Sequence, residues 1–231
     1  MHDSIITTST IAAVKTQTIL DAFLRHINGA PVNLLAGAHG EAQIISRREI
    51  FARGCALARE FQAFGVEPGD KVMTVLPTGK PFLVSTFGAW AAGAAIVPVA
   101  PPAPGMAAEY YERKLANMVR TARPKIIVAC AAAADALKNL FELTDDVHLL
   151  SDAEVLFDFV GEPHPPHIPQ ANDIAHIQFT SGSTSFPKGA AIAHAQLLAN
   201  VRGVGGVVCG GQPTDEQVVS WLPVHHDMGF I

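Results

Sequence analysis

Residues Gly65–Pro102 read GVEPGDKVMTVLPTGKPFLVSTFGAWAAGAAIVPVAPP, and the fold turns on how this stretch is divided. Pro68-Gly69-Asp70 is turn chemistry: proline presets one backbone angle, glycine allows the sharp bend, and aspartate bonds back to nearby amides. Lys71–Leu76 then forms a short apolar run of the kind found in strands buried on both faces. From Pro81 to Ala108 no residue is charged, and Phe82–Ala100 approaches the ~20 apolar residues that cross a bilayer. Gly88, Gly93 and Pro98, and then Pro101, Pro102 and Pro104, interrupt that run. It divides better into a buried helix over 80–92 and a buried strand over 94–99, with no membrane span.

Working outward, the same alternation continues on both sides. Ser46-Arg47-Arg48-Glu49 is a capping-box sequence, in which the serine hydroxyl takes an orphan amide and the glutamate reaches back. Ile50, Leu57, Phe61 and Phe64 follow on one helical face, and Gly65 closes the helix. Further upstream, Ile19, Leu20, Phe23, Leu24 and Ile27 make a helical stripe within 17–28, and Asn33–Ala36 with Ala42–Ile45 suggests a β-hairpin. Downstream the pattern predicts helix 108–122, strand 125–130, helix 134–141 and strand 147–150. It goes on with strand 174–179, strand 190–193, helix 195–208 and strand 217–222. Strands alternating with helices imply an α/β fold built on a largely parallel, helix-covered sheet. The aperiodic stretch 161–173 (GEPHPPHIPQAND) reads as a connector. It divides a first α/β subdomain, 1–160, from the start of a second, 174–231. His164 and His167 in that connector are candidate metal ligands, but an exposed proline-rich linker accounts for them more simply.

Composition narrows the function. The chain has 231 residues, 49% of them apolar, and a net charge of −5, which leaves no basic surface for nucleic acid. Cys55, Cys130 and Cys209 are widely spaced and make no C-x-x-C, so they read as small buried residues in a reducing compartment. Met1-His2-Asp3-Ser4 carries no basic segment leading into an apolar run, so a secretory signal is not expected and a cytoplasmic location is.

Two segments carry chemistry. Residues 180–189 read Thr-Ser-Gly-Ser-Thr-Ser-Phe-Pro-Lys-Gly between two predicted strands. Hydroxyls and glycine-freed amides can form a concave donor cluster for a polyphosphate, with Lys188 as a mobile charge. A polar surface turn has the same composition. The Walker pattern fails, because Pro187 and Gly189 flank the lysine where glycine and a hydroxyl residue belong. The glycine-rich stretch 203–211 also fails as a dinucleotide fingerprint. Residues 220–231 read Ser-Trp-Leu-Pro-Val-His-His-Asp-Met-Gly-Phe-Ile. His225, His226 and Asp227 are candidate ligands, but adjacent side chains on an extended segment point apart. A pocket-lining or acid–base role suits them better than a metal site, with a structural polar cluster as the remaining reading.

Taken together, these residues resemble the adenylate-forming superfamily, which includes acyl-CoA synthetases, fatty-acyl-AMP ligases, peptide-synthetase adenylation domains and luciferases. Thr180–Gly189 resembles its signature loop. Ser220–Gly229 resembles a second shared segment in the form common in fatty-acyl-AMP ligases, and Gly65–Pro102 resembles the frame of the N-terminal subdomain. Ser185 stands where most members have glycine, and Ala190 where many have valine. Members are more than twice this length, so the resemblance implies an N-terminal portion of such an enzyme, without ligase activity by itself.

The resemblance implies attack of a carboxylate on the α-phosphorus of ATP with release of pyrophosphate. Thr180, Ser181, Gly182, Ser183, Thr184, Lys188 and Gly189 would hold the phosphates, and His226 would stand near the carboxylate, supported by His225 and Asp227. Mg²⁺ would bridge phosphate oxygens, with its principal protein ligand beyond Ile231. The acid is expected to be fatty, and the acyl acceptor CoA, a carrier protein or none. Two other classes fit the residues: a non-catalytic nucleotide-binding module on the same fold, and a phosphotransferase or hydrolase with an unusual phosphate loop.

Overall fold

The computed structural model describes residues 17–35, 42–141, 146–156, 167–180, 188–208, 220, 222–226 and 229. Most of the predicted strand 217–222, together with Cys209 and His164, lies outside these residues. The described elements are α1 (Ile19–Arg25), β1 (Val32–Leu35), β2 (Ala42–Ile45), α2 (Arg47–Ala63), β3 (Lys71–Val75), α3 (Lys80–Ala91) and β4 (Ala95–Val99). They continue with α4 (Ala108–Ala122), β5 (Ile126–Ala129), α5 (Ala131–Phe141), β6 (His148–Ser151), β7 (Ile174–Thr180), β8 (Lys188–Ala193) and α6 (His194–Val208).

The predicted hairpin is present, with β1 antiparallel to β2. The other strands form one six-stranded sheet in the order β6-β5-β3-β4-β7-β8. Neighbours are parallel from β6 to β7, and only β8 runs antiparallel, beside β7. The predicted α/β class with a mostly parallel sheet is therefore the observed one. From β3 the chain crosses through α3 to β4, then back through α4 to β5 on the other side of β3. Right-handed crossovers in opposite directions put α3 and α4 on opposite faces. β7 and β8 extend this same sheet past β4 rather than starting a separate one.

Local signals explain most boundaries. Ser46 Oγ accepts the Glu49 N–H at 3.0 Å and starts α2. The Glu49 carboxylate accepts from Arg53 Nε at 3.0 Å, one turn on. A complete reciprocal capping box starts α1, where Thr18 and Asp21 satisfy each other's amides. The four alanines 131–134 start α5 three residues before the predicted 134, since alanine gives up no side-chain entropy in a helix. Gly65, with φ of 80°, adopts the left-handed conformation that stops α2.

The uncharged run is a buried helix followed by a buried strand, as its glycines and prolines indicate. α3 has nine buried residues, and every residue of β4 is buried. Among the described residues no helix is long and apolar enough to cross a membrane. Trp90 joins α3 to the sheet by donating its indole N–H to the Ala175 carbonyl at 2.8 Å. Cys55 is a free, buried thiol whose pKa burial pushes up to about 12, so it behaves as the small apolar residue expected.

His194, at the start of α6, is 2% exposed, and its ring meets Trp90 edge-on at 6.0 Å. Burial lowers its pKa from 6.5 to about 4, against the smaller opposing pull of Asp173 and Asp21. The unfolded chain therefore takes up this proton first as pH falls, and the stability tied to neutral His194 is fully present above pH 6.5 and lost toward pH 4. The expected loss is about 3 kcal/mol. Urea unfolding across that window will show a shallower pH dependence in His194→Gln than in the parent chain.

Candidate functional site

The carboxyl ends of β3, β4, β5, β6 and β7 lie along one edge of the sheet, because these strands are parallel. β3 and β5 are neighbours whose connections run away from each other, to β4 and to β6, so the crevice between their ends is the topological switch point where open α/β sheets bind ligands. β7 reaches the same edge at Thr180, and β8 leaves it at Lys188.

Thr180 and Lys188 are register partners across the β7–β8 hairpin, and Thr180 Oγ1 donates to the Lys188 carbonyl at 3.4 Å. Partners in an antiparallel pair project from the same face, so the hydroxyl and the ammonium stand together at the mouth of the loop. The Lys188 side chain is exposed. Ser181, Gly182, Ser183 and Thr184 lie outside the described residues. Gly189 belongs to the other face. A Cβ there would lie 3.0 Å from Ile177 Cγ2 and 3.5 Å from the Phe179 ring. That face opens on a cleft of about 540 Å³ at the end of α4, lined by Ile177, Phe179, Gly189, Ala191, Lys71, Arg120 and Arg123. The backbone of Gly189 continues the strand, while its missing side chain serves packing on the cleft side.

The histidine segment comes to the same edge from far along the chain. The Val224 N–H donates to Thr78 Oγ1 at 3.2 Å, at the end of β3 and the entrance to α3. Val224 also packs against the main core. His226 N–H donates to the Pro223 carbonyl at 3.0 Å, closing a turn that carries His225 and His226. His226 is exposed and His225 half-buried. The His225 Nδ1 is buried without a partner, and burial, then the neighbouring His226, lowers its pKa. Asp227 lies outside the described residues. Among the described residues no group of three or more His, Cys, Asp or Glu could hold a metal ion.

The edge thus offers a hydroxyl, a mobile cation and two imidazoles, one exposed and one kept neutral by burial. Thr78 was not a candidate from sequence. A Thr-Gly pair ahead of a helix reads as ordinary turn chemistry, and its partner lies 146 residues away.

Comparison with known proteins identifies the family. The family model described as AMP-binding enzyme matches residues 25–231. The long-chain-fatty-acid–AMP ligase FadD26 of Mycobacterium marinum is 33% identical over 198 residues, 84% of this chain and 33% of that protein. The putative fatty-acid–CoA ligase FadD21 of Mycobacterium tuberculosis is 28% identical over 83% of this chain and 33% of its own length. A structure from work on fatty acyl-adenylate ligases of E. coli and L. pneumophila superposes with a TM-score of 0.81 and 27% identity. It covers 94% of this chain and 39% of that one. The L. pneumophila fatty acyl-adenylate ligase in complex with acyl adenylate and pyrophosphate gives a TM-score of 0.75 at 26% identity, over 95% of this chain and 37% of that one. The chain spans about a third of the length of the curated relatives it matches. With a family model that takes in residues 25–231 and fatty acyl-adenylate ligases sharing its fold, the chain belongs to the AMP-binding enzyme family of adenylate-forming ligases.

Proposed function

We propose that this chain supplies the phosphate-holding and carboxylate-facing part of an enzyme that converts a fatty acid and ATP into acyl adenylate and pyrophosphate. The observation that carries the reading is the convergence of the Thr180–Lys188 hairpin mouth and the His225–His226 turn on one sheet edge, with the turn tied at the end of β3, which borders the switch point. A carboxylate and a triphosphate repel each other, so the work of such a site is charge neutralisation and alignment. Thr180, Lys188 and the loop residues Ser181, Gly182, Ser183 and Thr184 hold the β- and γ-phosphates and then the departing pyrophosphate. The main-chain amide of Gly189 adds to the strand that presents them. His226 faces the acid, and a carboxylate oxygen bonds to the α-phosphorus as the bond to the pyrophosphate oxygen breaks. The hydroxyls and the ammonium suit ATP. The fatty nature of the acid rests on the relatives' names.

Similarity to FadD21, named a putative fatty-acid–CoA ligase, favours a second reading in which the acyl group passes on to CoA. A carrier-protein thiol is the alternative acceptor.

The test uses two proteins. The 231-residue chain is expected to bind MgATP saturably by calorimetry and to form no acyl adenylate. A chimera carrying this chain in place of the matching segment of M. marinum FadD26 is expected to catalyse pyrophosphate exchange into ATP that depends on long-chain fatty acid. Adding CoA to the chimera then reads the acceptor. Phosphate release in place of pyrophosphate release would sink the ligase reading, and absence of ATP binding to the chain would remove its nucleotide site.

A further inference from the structure

We infer that Thr78 is the positioning residue of the histidine turn, its hydroxyl oxygen holding the Val224 N–H so that His225 and His226 stand at the sheet edge. The inference deepens the proposed function and rests on it for the role of His226.

Three features of the molecule support it. The first is the hydrogen bond, 3.2 Å long and joining residues 146 positions apart, between the end of β3 and the turn. The second is the platform. Thr78 stands immediately before Gly79, the N-cap of α3, at the entrance to that helix. With nine buried residues, α3 is held firmly, and a group at its entrance is a fixed reference point. The third is the tightness of what is held. The Pro223–His226 turn is followed by a bond from the Gly229 N–H to the His226 carbonyl at 3.0 Å. A Cβ on Gly229 would lie 2.2 Å from the Pro223 carbonyl oxygen, so only glycine lets the segment fold back this closely. One tie to Thr78, together with Val224 packed on the core, sets the position of both imidazoles.

Thr78 touches neither ATP nor acid in this account; it acts through the turn. Replacing its hydroxyl with a methyl, in Thr78→Val, keeps the shape and removes the acceptor, and Thr78→Ser keeps the acceptor. In the 231-residue chain, Thr78→Val is expected to speed hydrogen exchange at the Val224 amide about tenfold. It is also expected to move the His225 ring signals toward those of a free imidazole, with its titration midpoint rising as burial is lost. Thr78→Ser is expected to restore both. In the FadD26 chimera, Thr78→Val is expected to lower fatty-acid-dependent exchange severalfold, with KM for ATP unchanged. Unaltered Val224 protection and unaltered His225 titration in Thr78→Val would overturn the inference. Altered protection with serine rescue, in a chimera that shows no exchange even with Thr78 intact, keeps the tie and removes the ligase reading instead. Altered protection with normal exchange kinetics would reduce Thr78 to a structural contact and overturn its positioning role.

Discussion

Lys188→Ala is expected to weaken MgATP binding by the 231-residue chain about 10- to 100-fold, and to cut pyrophosphate exchange in the chimera by more than tenfold. Charge-assisted contacts to a phosphate contribute roughly 1.5–3 kcal/mol, and each 1.4 kcal/mol is a factor of ten. The lysine starts β8 opposite Thr180, with its side chain exposed, so truncation removes a cation without opening a cavity. The fold should be untouched, and matching thermal unfolding of variant and parent will show that. Lys188→Arg is expected to recover only part of the affinity. A planar guanidinium replaces a compact ammonium and offers its charge with a different geometry. Because a lysine–phosphate contact is electrostatic, the difference between parent and variant should shrink as salt is raised. Equal ATP affinity in parent and Lys188→Ala would remove the lysine from the site.

Gly54→Leu is expected to destabilise the chain by about 3 kcal/mol or more. α2 and α3 cross where neither helix has a side chain. A Cβ at Gly54 would meet the Phe87 Cβ at 2.8 Å and the Gly88 backbone nitrogen at 3.2 Å, and a Cβ at Gly88 would meet Leu57 at 3.2 Å. The first obstacle is the stem of a buried side chain and backbone, neither of which can swing aside, so the helices must separate. Overpacking a well-filled core costs ~1–3 kcal/mol, and a leucine here inserts four carbons rather than one. Separation would also disturb Phe87, whose ring lies 4.0 Å from that of Phe23 of α1, tilted by 42°, and meets Trp90 at 5.2 Å. Urea unfolding measures the change. Gly54→Ala should fall between parent and leucine, and a leucine variant as stable as the parent would show that the crossing is looser than these distances imply.

Both results bear on how far the sequence alone could be read. The predicted helix at 80–92 and strand at 94–99 match α3 and β4 within a residue or so. Turn residues and the lengths of apolar runs act over a few neighbouring positions. Ser46 announced α2 for the same reason, since its hydroxyl bonds an amide three residues away. β8 was harder. It begins at Lys188 and not at 190, because pairing with Thr180 and Phe179 draws Lys188 and Gly189 into the strand, and nothing in their own composition favours one. The site divides in the same way. Thr180 and Lys188 stood out by chemical type and spacing, and His226 by resemblance to a shared family segment. Thr78 had no signal, since its importance lies in a partner 146 residues distant.

By itself, then, the sequence determined the α/β class, the identity and approximate ends of most elements, and the two chemically loaded segments. Each depends on backbone preferences and side-chain periodicity within a dozen or so residues. Only the tertiary structure decided that β7 lies beside β4, that Gly54 and Gly88 let two helices touch, and that the turn bearing His225 and His226 hangs from the end of β3. Strand order, close approach and remote hydrogen bonds are chosen by which arrangement buries the apolar faces together with the correct handedness. That choice is made by the whole chain at once, and no local window contains it.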